Sequence, residues 1–335
     1  MRTLLILVIL GALGWSGYWW AGATAQRTAI GMWLEDRRAA GWVADSSSVT
    51  VRGYPNRFDT IVQNLSLADP VSAWSWDAPE FQILALSYQP NHIIAVWPGT
   101  QVLSSPGQRI DLTAQRMRGS VTFFPSTALA LKQTIIELDA VALASTRGWT
   151  AGLSSGQLAF RRSAPDTAPD FGYDFSLTGR SLTLPEPLKR AIDPSDLLPP
   201  TLATADVRLT PVFDAEWNLA AVEGRKPRLI TLNIDNVKLA WGNVELGLQG
   251  RVDRDDRGYA EGSVNVIARN WQDMLKLAVE SGMVSENLAG TLGSALGFLA
   301  QGTGETDLLD ITLTMERGFT RVGPIPIGPA PRMDY

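Results

Sequence analysis

The chain has 335 residues, 45% hydrophobic and 19% charged, a balance that builds a sizeable core and excludes a disordered polymer. Its net charge of -5, from 29 basic and 34 acidic side chains, offers no electrostatic footprint for a phosphate backbone, so nucleic acid is not expected as a partner. Cysteine is absent, which removes disulfides, thiolate metal ligands and cysteine nucleophiles together.

The first element is an apolar helix. No charge falls between Arg2 and Arg27, and the run from Thr3 to Trp20 reaches the length that crosses hydrocarbon. Arg2 and the terminal amine precede it, while Trp15, Tyr18, Trp19 and Trp20 stand at its far end, where amphipathic rings favour the water interface. Residues 1–25 therefore read as a transmembrane anchor or a signal peptide. Ala23-Thr24-Ala25 has the small-x-small pattern of a cleavage site, so the alternative to a retained anchor is a soluble periplasmic protein cut near Ala25. With the anchor kept, the expectation is a single-pass inner-membrane protein with its body in the periplasm. A juxtamembrane helix over 26–41 follows, with Ile30, Trp33 and Leu34 on one side and Gly41 placed to end it.

Beyond Gly41 the pattern turns to short alternating runs at 48–52, 81–88, 93–97 and 108–112, which read as strands of a first β lobe over 42–160. Trp74 and Trp76, two apart, share one face of such a strand as sheet packing. Residues 161–200 hold Pro165, Pro169, Pro185, Pro187, Pro194, Pro199 and Pro200 and read as a connection between lobes. The second β lobe, 201–335, reads as a meander through 229–234, 237–241, 244–252 and 259–268, with turns at Asp235-Asn236, Gly242-Asn243 and 255–258. The similar strings Asn64-Leu65-Ser66-Leu67-Ala68 and Asn236-Val237-Lys238-Leu239-Ala240 hint at a duplicated β unit. At 270–301 the period lengthens to that of a helical hairpin, with Asn270 and Ser285 as caps and Gly290, Gly293 and Gly297 permitting close packing. A strand at 308–315 and an extended 323–332 segment close a mainly β (α+β) fold of curved antiparallel sheets.

No residue set assembles an active site, so no enzyme, cofactor or metal is expected. Gly152-Leu153-Ser154-Ser155-Gly156 matches the nucleophile-elbow spacing, but strand-like residues follow it and the single histidine, His92, lies upstream, so a turn is the better reading. His92 itself sits in an expected turn before Ile93 and cannot build an all-histidine metal site. The string from Asp253 to Gly258 opens like a calcium loop but has Arg257 and Val264 where oxygen ligands belong, leaving a charged hairpin turn. Gly302-Thr303-Gly304 lacks the third glycine of a dinucleotide site.

Several strings together resemble the Gram-negative envelope proteins grouped as domain of unknown function 2125. They are Gly53-Tyr54-Pro55-Asn56-Arg57-Phe58-Asp59, Ala85 through His92 on to Trp97-Pro98, Ala240-Trp241-Gly242, Ala268-Arg269-Asn270-Trp271 and Gly323 through Pro331. The resemblance implies no catalytic residues. The Gly-Tyr-Pro-x-Arg-Phe stretch is also similar to pieces of AsmA-like envelope proteins, a likeness that implies lipid handling. Within it, Tyr54-Pro55 should form a turn or bulge before a strand with Phe58 and Arg57 on opposite faces. Tyr54, Arg57, His92 and Trp97 concentrate in these strings and are the candidate ligand or partner contacts. The leading expectation is an apolar groove for a lipid or other amphiphile, serving envelope maintenance. The alternative is a scaffold or assembly factor that binds an envelope protein through an exposed 323–332 segment.

Overall fold

The computed structural model describes residues 1–164, 170–301 and 305–333. Pro165, Pro169 and Gly302-Thr303-Gly304 lie outside the described residues. The chain divides into two compact units, Met1–Pro125 with Ile136–Gly148, and Ser126–Ile135 with Trp149–Tyr335.

The first unit opens on α1 (Arg2–Ala39), one uninterrupted helix that runs through both the anchor and the juxtamembrane stretch and ends before Gly41. Its strands are β1 (Val43–Asp45), β2 (Ser48–Arg52), β3 (Arg57–Asp69), β4 (Trp74–Leu86), β5 (Gln89–Val96), β6 (Gln101–Ser105), β7 (Gln108–Thr113) and β8 (Arg116–Phe123), with most of β9 (Leu131–Ser145). β3 is central, pairing β1 and β2 along one edge and β4 along the other. Beyond them β5 and β6 both pair β4, β8 pairs β5, and β7 joins β6 to β9. α1 lies along β3. Its residues 16, 19, 22, 23, 26, 30, 31, 34 and 37 are the covered ones, a recurrence at three and four that marks one helix face. Leu34 enters a core with Ala44, Val62, Leu65 and Ala78, and Ala23 enters one with Val51 and Phe58. Trp33, expected beside Ile30 and Leu34, is exposed, one step off that face.

The second unit is a meander: β10 (Thr150–Arg162), β11 (Tyr173–Thr183), β12 (Thr201–Phe213), β13 (Leu229–Trp241), β14 (Val244–Arg254), β15 (Ala260–Arg269), β16 (Leu308–Glu316), β17 (Phe319–Val322) and β18 (Ile325–Pro329). Each pairs antiparallel with the next. Helix α2 (Glu186–Ile192) follows β11, α3 (Leu219–Glu223) follows β12, and α4 (Trp271–Glu280) with α5 (Glu286–Gln301) forms the expected hairpin. Val252, Ala260, Val264, Met315, Ala330 and Met333 make the main core here.

Four local readings change. The 161–200 stretch is not where the chain divides, because β11 and α2 form within it: Pro185 and Pro187 sit at the start of α2, and Pro194, Pro199 and Pro200 follow its end. Asp235-Asn236 is not a turn: β13 runs through it, and a register shift between Ile234 and Val237 absorbs the extra residue. His92 lies inside β5 opposite Thr122, since the reversal is made earlier, at Ser87 and Tyr88. Gly152 to Gly156 is strand interior in β10, paired with β11, and the Ser154 hydroxyl donates to the Arg180 carbonyl at 3.0 Å. The 323–332 segment is also less free than expected. Its β18 pairs β17, Ala330 is buried, and the Pro331 carbonyl accepts from the Ala260 N–H at 2.8 Å.

Candidate functional site

Alternation in β12 puts Leu209, Pro211 and Phe213 on one face. The register then sets Phe175 of β11 opposite Leu209, and Leu232 and Leu229 of β13 opposite Pro211 and Phe213. These six apolar side chains line an open groove of about 650 Å³, within the range of small-molecule sites. One wall is rigid. Phe160 stacks on the fully buried Tyr173 at 4.7 Å, Phe213 meets Tyr173 and Trp217 edge-on at 5.9 and 5.6 Å, and the Tyr173 hydroxyl accepts from the Trp217 backbone N–H at 3.0 Å. Leu229 and Leu232 also pack on the main core, so the groove's other wall is continuous with it.

A cationic strap, Arg225 to Arg228, edges the groove. Asp214 staples it: one carboxylate oxygen accepts from the Arg228 backbone N–H at 2.7 Å, the other from Arg228 Nε at 2.9 Å and Arg225 Nη2 at 2.8 Å. The Arg228 N–H, against the opposing effect of burial and with help from both guanidiniums, holds the Asp214 carboxyl below its ordinary value. Lys226, which also lines the groove, is exposed and meets no carboxylate among the described residues. The site thus couples apolar walls to one uncommitted cation. Sequence reasoning missed it, although the alternation Val207, Leu209, Pro211, Phe213 was there to be read.

The singled-out residues fall elsewhere, in the first unit, and do not form one site. Tyr54 and Arg57 belong to the tight reversal between β2 and β3, where α1 is clasped, so the expected turn and the opposed Arg57 and Phe58 are found. Trp15 Nε1 donates to the Pro55 carbonyl at 3.0 Å, Trp19 Nε1 to the Arg57 carbonyl at 2.7 Å, and Tyr18 Oη to the Ser87 carbonyl at 2.6 Å. Tyr54 Oη shares a 2.8 Å hydrogen bond with Ser16, and its ring meets Trp19 edge-on. Arg57 pairs with Asp59 at 3.0 Å. Trp97 instead packs beside Phe81, which meets Trp76, and lies over Gly119. Trp76 donates to the buried Gln101 at 3.0 Å, whereas Trp74 is exposed. His92 joins neither group.

Fold and site define a mainly antiparallel β protein with one N-terminal helix long and apolar enough to cross a membrane, and an open apolar groove in its second unit. The chain belongs to the family described as "Uncharacterized protein conserved in bacteria" (DUF2125), which matches residues 19–331. That match covers nearly the whole chain and begins at Trp19, inside the clasped part of α1. No curated protein and no solved structure matches it.

Proposed function

We propose that this protein is a membrane-tethered, non-catalytic binder of an amphiphile, held in the inner membrane by α1 with its body in the periplasm, and that the groove of the second unit takes the apolar part of the ligand. The groove carries the reading: Phe175, Leu209, Pro211, Phe213, Leu229 and Leu232 offer apolar walls, and Lys226 offers a partner for an acidic headgroup. Each methylene removed from water there contributes about 0.8 kcal/mol, so an acyl chain is a far better occupant than a small polar solute. No residue of the apolar window of α1 is buried, which supports the tether, since the core helix of a soluble protein would be covered.

The test uses the full chain in nanodiscs of phosphatidylethanolamine and phosphatidylglycerol doped with a diazirine-bearing phospholipid. Irradiation should place adducts on peptides containing Leu209 to Phe213 and Leu229 to Leu232. Leu232→Trp, which fills the groove, should abolish those adducts and spare the ones on α1. Adducts confined to α1 would overturn the groove reading. The scaffold reading has less behind it: the 323–332 segment keeps most of its side chains exposed, but its backbone is held by β17 and Ala260 within the second unit.

A further inference from the structure

The clasp on α1 sits closer to the charged Arg2, which bounds the apolar run, than a membrane span allows. The body begins to cover the helix at residues 15 and 16, leaving residues 1–14 to project alone. At 1.5 Å per residue that segment is roughly 21 Å long. The hydrocarbon layer is about 30 Å thick, and any tilt shortens the reach further. About six more residues are needed, and these are Trp15 to Trp20, the ones bonded to the body. The reversals that hold them, residues 53–56 and 87–91, must then share their depth.

The chemistry of those reversals suits that depth. Both strings are uncharged and share Tyr, Pro and Asn in that order, in Gly-Tyr-Pro-Asn and Ser-Tyr-Gln-Pro-Asn. Tyr54 and Tyr88 stay 57% and 65% exposed, and tyrosine favours the membrane–water boundary. Exposed turns ordinarily leave their carbonyls to water, which hydrocarbon cannot replace. Here protein donors fill that role. The Gly53, Pro55, Asn56, Arg57 and Ser87 carbonyls accept in turn from the Arg57 N–H (2.8 Å), Trp15 Nε1 (3.0 Å), the Ser87 N–H (2.9 Å), Trp19 Nε1 (2.7 Å) and Tyr18 Oη (2.6 Å).

We infer that the two hairpin tips, 53–56 and 87–91, are seated in the bilayer interface beside α1, with Tyr54 and Tyr88 as lipid contacts. The inference rests on the reading of α1 as a membrane span and is independent of the groove.

The absence of cysteine makes the test clean. Single variants Asn56→Cys and Tyr88→Cys, which leave the Tyr54–Ser16 contact in place, take a fluorescent label in vesicles of phosphatidylethanolamine and phosphatidylglycerol containing brominated-chain lipid. Leu7→Cys reports the span. Val71→Cys, on an exposed turn at the other end of β3, about 40 Å away along the strand, reports water. Labels at 56, 88 and 7 should be quenched several-fold more than the label at 71. Labels at 56 and 88 that behave like the one at 71 while 7 is quenched would overturn this inference and leave the tether standing. A label at 7 in water would overturn both.

Discussion

At the scale of single residues, Asp193 shows how one carboxylate shapes a loop. It is buried after α2, accepts the N–H groups of Leu197 and Leu198 at 2.8 Å each, and pairs with the buried Lys189 at 3.0 Å. That geometry delivers Leu198 into a core with Val244 and Leu277. Burial pushes the Asp193 pKa up, but the Leu198 and Leu197 N–H groups and the Lys189 ammonium outweigh it and hold the group below its ordinary value. Lys189 moves the other way: its bond to Asp196, against burial and with help from Asp193, raises its pKa. A lowered carboxylate pKa stabilises above the unfolded value of about 3.9 and ceases to do so as pH falls through the folded value. The raised lysine stays charged throughout that window. Asp193→Asn should therefore lower the urea midpoint of the second unit at pH 7 and flatten its loss of stability below about pH 4. Asp193→Ala, which strands the Leu197 and Leu198 N–H groups and leaves the buried Lys189 ammonium with Asp196 alone, should cost about 3–5 kcal/mol. Unchanged midpoints in urea titrations at pH 7 and pH 3 would refute this. Residue motifs were a poorer guide than such contacts. Tyr54 and Arg57 do sit where the chain does something unusual, but His92 and Ser154 drew notice by rarity and spacing and proved to be strand residues.

At the scale of elements, the seam of α1 against β3 depends on a missing side chain. A Cβ on Gly22 would lie 2.6 Å from Phe58 Cζ, and Phe58 is buried beneath Trp19, whose ring stacks on it at 5.9 Å. Gly22→Leu should displace the helix from β3 at a cost of about 1–3 kcal/mol. Faster tryptic cleavage at Arg27 would report the displacement. Gly14→Leu, with nothing within 4 Å of its Cβ, should leave cleavage at the parental rate and serves as control. Elements with one clear period were legible: β2 and β7 as bare alternation, α4 and α5 as a helical stripe. β12 was not, because Pro211, though in step with its alternation, counts against a strand, and the proline-rich stretch before it drew the expected boundary. β13 was divided for a related reason: polar Asp235-Asn236 looks like a turn until a bulge carries the ladder past it.

At the scale of the whole molecule, the groove was the least legible feature, since it joins Phe175 to Met333 and depends on the pairing of three strands. The fate of α1 is easier to argue. Cleavage near Ala25 would remove Trp15, Tyr18, Trp19 and Ala23 and leave Phe58 and Val51 uncovered. We therefore expect the purified protein to retain the helix, and intact-mass measurement should show a chain that includes residues 1–25. A chain beginning at Gln26 would contradict the clasp as a feature of the mature protein.

The clasp also sets a phase. Because Trp15, Tyr18 and Trp19 are each bonded to a particular carbonyl, α1 cannot rotate about its own axis, and the side of residues 1–14 that faces any given direction in the membrane is fixed. Inserting one alanine between Gly14 and Trp15 would turn that segment by about 100° without touching the body, whereas four would return it close to its original facing. If the segment meets only lipid, both insertions should support wild-type function in a deletion strain. If it recognises another helix, the single insertion should fail where the fourfold one succeeds, so the N-terminus would act as a key with a bearing as well as a depth.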